Sequence, residues 1–341
     1  MIGGLAVRGN LLCVTWSAGR GHVFLYDLEE RQRVSSWMTP VGPSGYSDAA
    51  GVAVDARFRI FVADPHNHCV RRYNAFGQHL GDLGAPPPAT GDRGFDRNGV
   101  LERPHAVCVV GDQVYVAAGE RERRRSVQRF RIDGSAPQHL PVEGDPERKW
   151  GAPRGIWADA RGLVVADTLR GRLCCYDRRG AFRESLAVPA ATPAEDDVLR
   201  GDSRARPGSV VRLSDRTCVV VEHSGVQSQL VAMGSDGRPR ALGALGAFCA
   251  DPLALAVDER DRIYVLDRDG ERVVRGSLGG DEHAVGGSCE ASGAADAVAA
   301  DGVADGAKPA RADDAGANEA GAGGGPEILL DLAEHDRDAP G

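Results

Sequence analysis

Large aromatic side chains are scarce in this sequence: Phe, Tyr and Trp make up 5% of its residues. Aromatics usually anchor protein–protein contacts, so their scarcity counts against a partner surface built mainly on them. Long apolar runs are missing too. None approaches the ~20 residues of a membrane-spanning helix, and the mean hydropathy of -0.29 suits a water-soluble chain. No membrane partner is expected. The opening MIGGLAVRGNLLCVTW has no basic segment leading into an apolar core, so no secretory signal is read there. A cytoplasmic location is the expectation. No H-E-x-x-H, phosphate-cradling G-x-x-x-x-G-K-[ST] or nucleophile elbow G-x-S-x-G occurs.

There are eight cysteines but no C-x-x-C pair. The chain is long and not cysteine-dense, so reduced thiols are expected rather than a disulfide framework. Cys13, Cys108 and Cys218 sit in apolar runs, where a thiol behaves as a small hydrophobe. Cys174 and Cys175 are neighbours in a predicted strand and point to opposite faces, so a shared metal is not expected.

The net charge of -8 is unevenly spread. Residues 281–341 hold 14 acidic and 3 basic side chains, net -11; residues 1–280 hold 38 basic and 35 acidic, net +3. The stretch AADAVAADGVADGAKPARADDAGANEAGAGGG is rich in Ala, Gly and Asp and lacks aromatics. It cannot bury enough apolar surface to offset its ordering entropy and is read as a disordered acidic tail. The short apolar patch Ile328–Leu332 is the exception.

What the sequence does contain is a repeat. GVAVDARFRIFVADPHNHCVRRYNAFGQHLGDLG, from Gly51, has relatives beginning at Gly3, Arg103, Ala152, Arg206 and Asp251. Each runs from a small residue or Pro into an apolar strand, a polar turn, a strong β-run, a polar loop, a third strand and a Gly turn. A weaker fourth strand follows. The last residue of the second strand falls at Trp16, Asp64, Ala118, Asp167, Glu222 and Asp267, at steps of 48, 54, 49, 55 and 45. Six units of four strands at this period indicate an all-β, six-bladed propeller over residues 1–280. The sixth unit lacks a fourth strand before the tail begins. Two readings stand: the edge stays open, with ILLDL a stray helical turn, or His283–Val285 or, better, Ile328–Leu332 (strand 327–332) supplies the missing strand and covers the edge.

Gly51–Gly77, with GVAVD, FVAD, Asn67-His68, an aromatic and a Gly turn, resembles the NHL-repeat family, with Cys69 where that family usually has Arg. The resemblance implies the same six-bladed fold. It does not imply one function.

The run Asp64-Pro65-His66-Asn67-His68-Cys69 poses the functional question. The carboxylate recurs as Asp167, Glu222 and Asp267, which reads as a turn device: a strand-end carboxylate accepting backbone N–H groups. The other reading gathers Asp64, His66, His68, His105, Arg154, Asp167, Glu222, His223 and Asp267 on one face of the ring. His66, His105 and His223 are then candidate ligands for Zn²⁺, or Ca²⁺ in a lactonase-like site, although no cofactor is required by any motif. The resemblance to amidating-lyase relatives of the fold implies such His ligands beside an Arg. A third reading uses the basic loop Arg121, Arg123, Arg124 and Arg125 for RNA. The leading expectation is a non-catalytic propeller that recognises a protein or peptide through these loops.

Overall fold

The computed structural model describes residues 3–17, 19–88, 97–119, 125–142, 149–189, 205–223, 228–267, 272–278 and 327–331. Among them stand six four-stranded antiparallel sheets, arranged as the blades of a propeller. Blade 1 comprises β1 Gly3–Arg8, β2 Leu11–Ser17, β3 Gly21–Asp27 and β4 Gln32–Met38. Blade 2 comprises β5 Val52–Val54, β6 Ile60–Asp64, β7 Cys69–Tyr73 and β8 His79–Leu83. Blade 3 follows as β9 Pro104–Val110, β10 Gln113–Ala118, β11 Ser126–Arg131 and β12 Gln138–His139. Blade 4 holds β13 Pro153–Asp159, β14 Gly162–Asp167, β15 Arg172–Tyr176 and β16 Phe182–Ala187. Blade 5 holds β17 Pro207–Arg212, β18 Cys218–Glu222, β19 Gln229–Met233 and β20 Pro239–Arg240. A short helix α1, Ala244–Phe248, leads to blade 6: β21 Pro252–Val257, β22 Ile263–Asp267, β23 Arg272–Gly276 and β24 Glu327–Asp331. The outer strand of blade 6 thus comes from the apolar patch near the C-terminus. His283–Val285 and most of the acidic stretch lie outside the described residues.

Second strands such as β6, β14, β18 and β22 are buried at every position, because each is covered on both faces by a neighbouring blade. Their near-continuous Val, Ile, Leu and Ala content follows from that. One apolar cluster fills each seam between adjacent blades. The seam that closes the ring packs Leu5, Leu12, Val14 and Tyr26 of blade 1 on Ala254, Tyr264, Leu266 and Leu329 of blade 6. First strands approach so closely that a side chain would not fit at some points. A Cβ on Gly51 would lie 2.6 Å from the His105 carbonyl oxygen, and one on Gly155 would collide with the Gly208 carbonyl.

The strand-end carboxylates reach back to the chain entering their own blade. Asp64 accepts the N–H of Asp48 at 3.2 Å, Asp167 that of Ala152 at 2.7 Å, Glu222 that of Arg206 at 2.8 Å and Asp267 that of Asp251 at 2.9 Å. All four are fully buried. Blade 1 has no carboxylate at this point. Its second strand runs one residue past Trp16 to Ser17, whose hydroxyl bonds the Asp48 carboxylate. In blade 3, where Ala118 ends the strand, Gln128 accepts the Gly99 N–H at 2.8 Å and donates to Val100 O at 2.6 Å.

A guanidinium backs three of these carboxylates. Arg172 and Arg272 stand cross-strand from Asp167 and Asp267, at 3.5 and 3.2 Å. Blade 2 has Cys69 there. Arg71, two residues on and on the same strand face, donates to Asp64 at 2.8 Å in its place.

Removing the Asp64 carboxylate would leave the buried Arg71 side chain with only Asp82, at 4.0 Å, as a counter-charge. Asp64→Ala is therefore expected to cost about 3–5 kcal/mol, the range for breaking a buried pair. Urea unfolding measures it; a loss below about 1 kcal/mol would mean that the pair does not hold the blade together.

Candidate functional site

The register places first-strand starts beside second-strand ends: Pro153 pairs with Asp167 and Pro252 with Asp267. The loops joining second to third strands therefore share one end of the ring, the upper face. A central channel of about 810 Å³ runs between the first strands of all six blades. His105, Arg154, Thr168 and His223 line its upper mouth; Arg8, Asp55, Asp159, Arg212 and Glu259 line the lower end.

Backbone contacts occupy much of the upper mouth. The His105 ring lies between two carbonyls, Arg103 O at 3.2 Å and Pro153 O. His223 Nδ1 meets Ser228 Oγ at 2.7 Å, and its ring covers Gly208, where a Cβ would strike Nε2. Thr168 donates to Pro207 O at 2.6 Å. Arg154 is exposed.

The other sequence candidates stand elsewhere. Asp64, Asp167, Glu222 and Asp267 are turned into the lead-in backbone rather than toward the axis. His68 adopts a left-handed backbone, φ +57, and its Nδ1 accepts the N–H of Arg103 at 3.0 Å, joining blade 2 to blade 3. Asn67 caps the same turn, donating through Nδ2 to Asp64 at 2.8 Å and to Tyr46 O at 3.2 Å. His66 faces outward. Its Nε2 is 3.5 Å from an Asp48 oxygen, and its ring stacks on Tyr46 with centroids 5.8 Å apart. The nine residues thus form no single axial constellation: His105, Arg154 and His223 line the channel, while His66 and His68 do not. Among the described residues no three His, Cys, Asp or Glu side chains stand together as a metal set.

Of the basic loop, Arg121, Arg123 and Arg124 lie outside the described residues. The Arg125 guanidinium donates to the Gly151 carbonyl and ties blade 3 to the lead-in of blade 4. The described cysteines are all free thiols. Burial pushes Cys69, Cys174, Cys218 and Cys249 up to about 12 and Cys175 up to about 11, which leaves no thiolate nucleophile among them.

The repeat gave no warning of one feature of the upper face. The end of β4 and the linker that follows it expose Met38 (51%), Val41 (41%) and Tyr46 (57%), and Tyr46 stacks on His66. The linker is pinned along its length. Thr39 N–H donates to Gly21 O at 2.7 Å, Gly42 N–H to Tyr46 O at 3.1 Å and Ser47 Oγ to Thr39 O at 3.1 Å. A linker stands at the same point after blades 2, 3, 4 and 5, but their sequences differ, so this one carries no periodic signal.

No protein-family model and no curated protein matches the chain. Solved structures do. A chain of a nidogen/laminin complex is similar at 14% identity and TM-score 0.53, covering 79% of this chain and 90% of that one. Virginiamycin B lyase from Staphylococcus aureus is similar at 11% identity and TM-score 0.52, covering 80% and 79%. A Bacteroides caccae protein of unknown function is similar at 13% identity and TM-score 0.52, covering 79% and 90%. At these identities the likeness is one of fold.

His68 makes the turn sensitive to pH. Burial, and then the charge of Arg103, hold its imidazole below the ordinary histidine range. With the folded value depressed, the unfolded chain takes up the proton first. The stabilisation is whole above the unfolded value of about 6.5 and is lost as pH falls through the folded value. Thermal midpoints should therefore fall as pH drops below about 6.5, and His68→Asn, which tolerates the left-handed backbone, should flatten that slope. An unchanged slope in the variant would remove His68 from this role.

Proposed function

We propose that this protein is a non-catalytic recognition propeller that binds a protein or peptide partner through its upper face. The contact centres on Met38, Val41, Tyr46 and His66. One observation carries the reading: exposed apolar and aromatic side chains stand at the end of β4 and on a linker already held in place by backbone and side-chain hydrogen bonds. A preorganised surface loses little freedom when it binds, and a rigid aromatic is the usual centre of such a contact. Among the similar folds, one comes from a nidogen/laminin complex and another is a lyase, so the fold accommodates both kinds of work. We also read the repeat as NHL-type, on Gly51–Gly77, and the compartment as the cytoplasm, in keeping with the free thiols.

A second reading is favoured by His105, Arg154 and His223 sharing the channel mouth: a metal-dependent lyase or hydrolase. The residues fit a metal poorly, because both ring nitrogens of His105 face backbone carbonyls. Elemental analysis of untagged protein distinguishes the two. About one tightly held Zn²⁺ or Ca²⁺ per chain would favour the enzyme.

The recognition reading is tested by partner retention on immobilised protein. Tyr46→Ser is compared with wild type and with Phe76→Ser, whose side chain is 90% exposed on the opposite face. Tyr46→Ser is expected to lose the retained partner at least tenfold, about 1.4 kcal/mol, with an unchanged melting temperature, while Phe76→Ser keeps it. Equal retention by all three proteins would defeat the proposal.

A further inference from the structure

The outer strand of blade 6 differs from the other five in its connection. Elsewhere a short turn, such as 74–78 in blade 2 or 177–181 in blade 4, joins third strand to fourth. In blade 6 the stretch 277–326 intervenes. A connection of that length does not by itself oblige β24 to pair with the β23 of its own molecule. What holds it is chemistry available to any copy of the same segment.

That chemistry is specific. β24 runs antiparallel to β23, pairing Glu327 with Arg275, Ile328 with Val274 and Leu330 with Val273 across a bulge. Leu329 is buried in the seam between blades 6 and 1. Glu327 is gripped from two blades: one oxygen meets the Arg275 guanidinium of β23, and the other lies 3.3 Å from Arg31 in the β3–β4 turn of blade 1. The slot therefore takes an acidic residue followed two positions on by a buried Leu, and it straddles the ring-closing seam. Without β24, the β23 edge would present unpaired backbone donors and acceptors.

We propose that this slot accepts the Glu327–Asp331 strand of a second copy, so that two propellers exchange their outer strands reciprocally. The swapped dimer contains every contact of the closed monomer, so the balance is set by concentration. The cis strand competes at an effective concentration no higher than on the order of 1 mM for so long a connection. Dilute protein remains monomeric, and exchange appears on concentration or on warming. The inference is independent of the partner proposed for the upper face.

Charge reversal provides the test with full-length chains. One variant carries Arg31→Glu and Arg275→Glu; the other carries Glu327→Arg. Alone, each sets like charges against each other at the slot and is expected to melt below wild type. Mixed in equal amounts, each slot meets a complementary strand only from the other variant. The expected result is a heterodimer by native mass spectrometry, with the melting temperature raised toward that of wild type. Two monomers that keep their separate, lowered melting temperatures in the mixture would overturn the proposal. Should a variant not fold, two wild-type chains bearing different tags decide the matter after concentration and warming. Mixed dimers support exchange; tags that never mix, or a slot filled by a strand from a different protein, overturn it.

Discussion

One buried contact organises each blade that has it: a carboxylate at the end of the second strand accepting an N–H from the chain about to begin the first. It joins two points 15 or 16 residues apart, fixes where the first strand starts, and so fixes where the channel wall begins. A buried carboxylate needs partners for its lone pairs; the lead-in backbone supplies one, and in blade 2 Asn67 and Arg71 supply others. Blades 1 and 3 lack the carboxylate. In blade 3 the Gln128 amide, on the third strand, holds the lead-in at Gly99, so there the constraint persists where the residue does not; Ser17 of blade 1 instead bonds the Asp48 side chain in the lead-in of blade 2.

The fold was legible because it is repeated. Six returns of the same strand pattern leave few other architectures, and the β-runs around Ile60, Val164 and Ile263 are visible without any structure. The carboxylates were visible too, but half of their work was not. Acceptance of an N–H upstream depends on residues brought together only by the closed hairpin. The same limit applies to the histidines. Sequence spacing put His66, His105 and His223 near one face, yet cannot say that Asp48 and Tyr46 hold His66 at the outer surface while His105 turns in between two carbonyls. The turns at the lower face were missed for another reason. Asp55 and Asp258 each accept two turn N–H groups and an Arg four residues on, a pattern plain in VDARFR and VDERDR but far from the loops where chemistry was sought.

Repetition and individuality divide the molecule. Whatever all blades share is used to build and join them. The features that single out one place are the non-repeated ones: the pinned linker of residues 39–48, the helix α1 before blade 6, whose Phe248 lies under Arg272, and the distant origin of β24. Substitution in a shared position acts on stability, and substitution in an individual position is free to act on recognition alone.

Gly51 and Gly155 lead to a different kind of consequence. Each lets one first strand rest against the backbone of the next, with no room for even a methyl group between them. The bore of the channel is therefore a gauge set by absent atoms. A single added carbon at either point would force two neighbouring first strands apart, so the spacing of the channel wall is set at positions that offer a visitor no side chain at all.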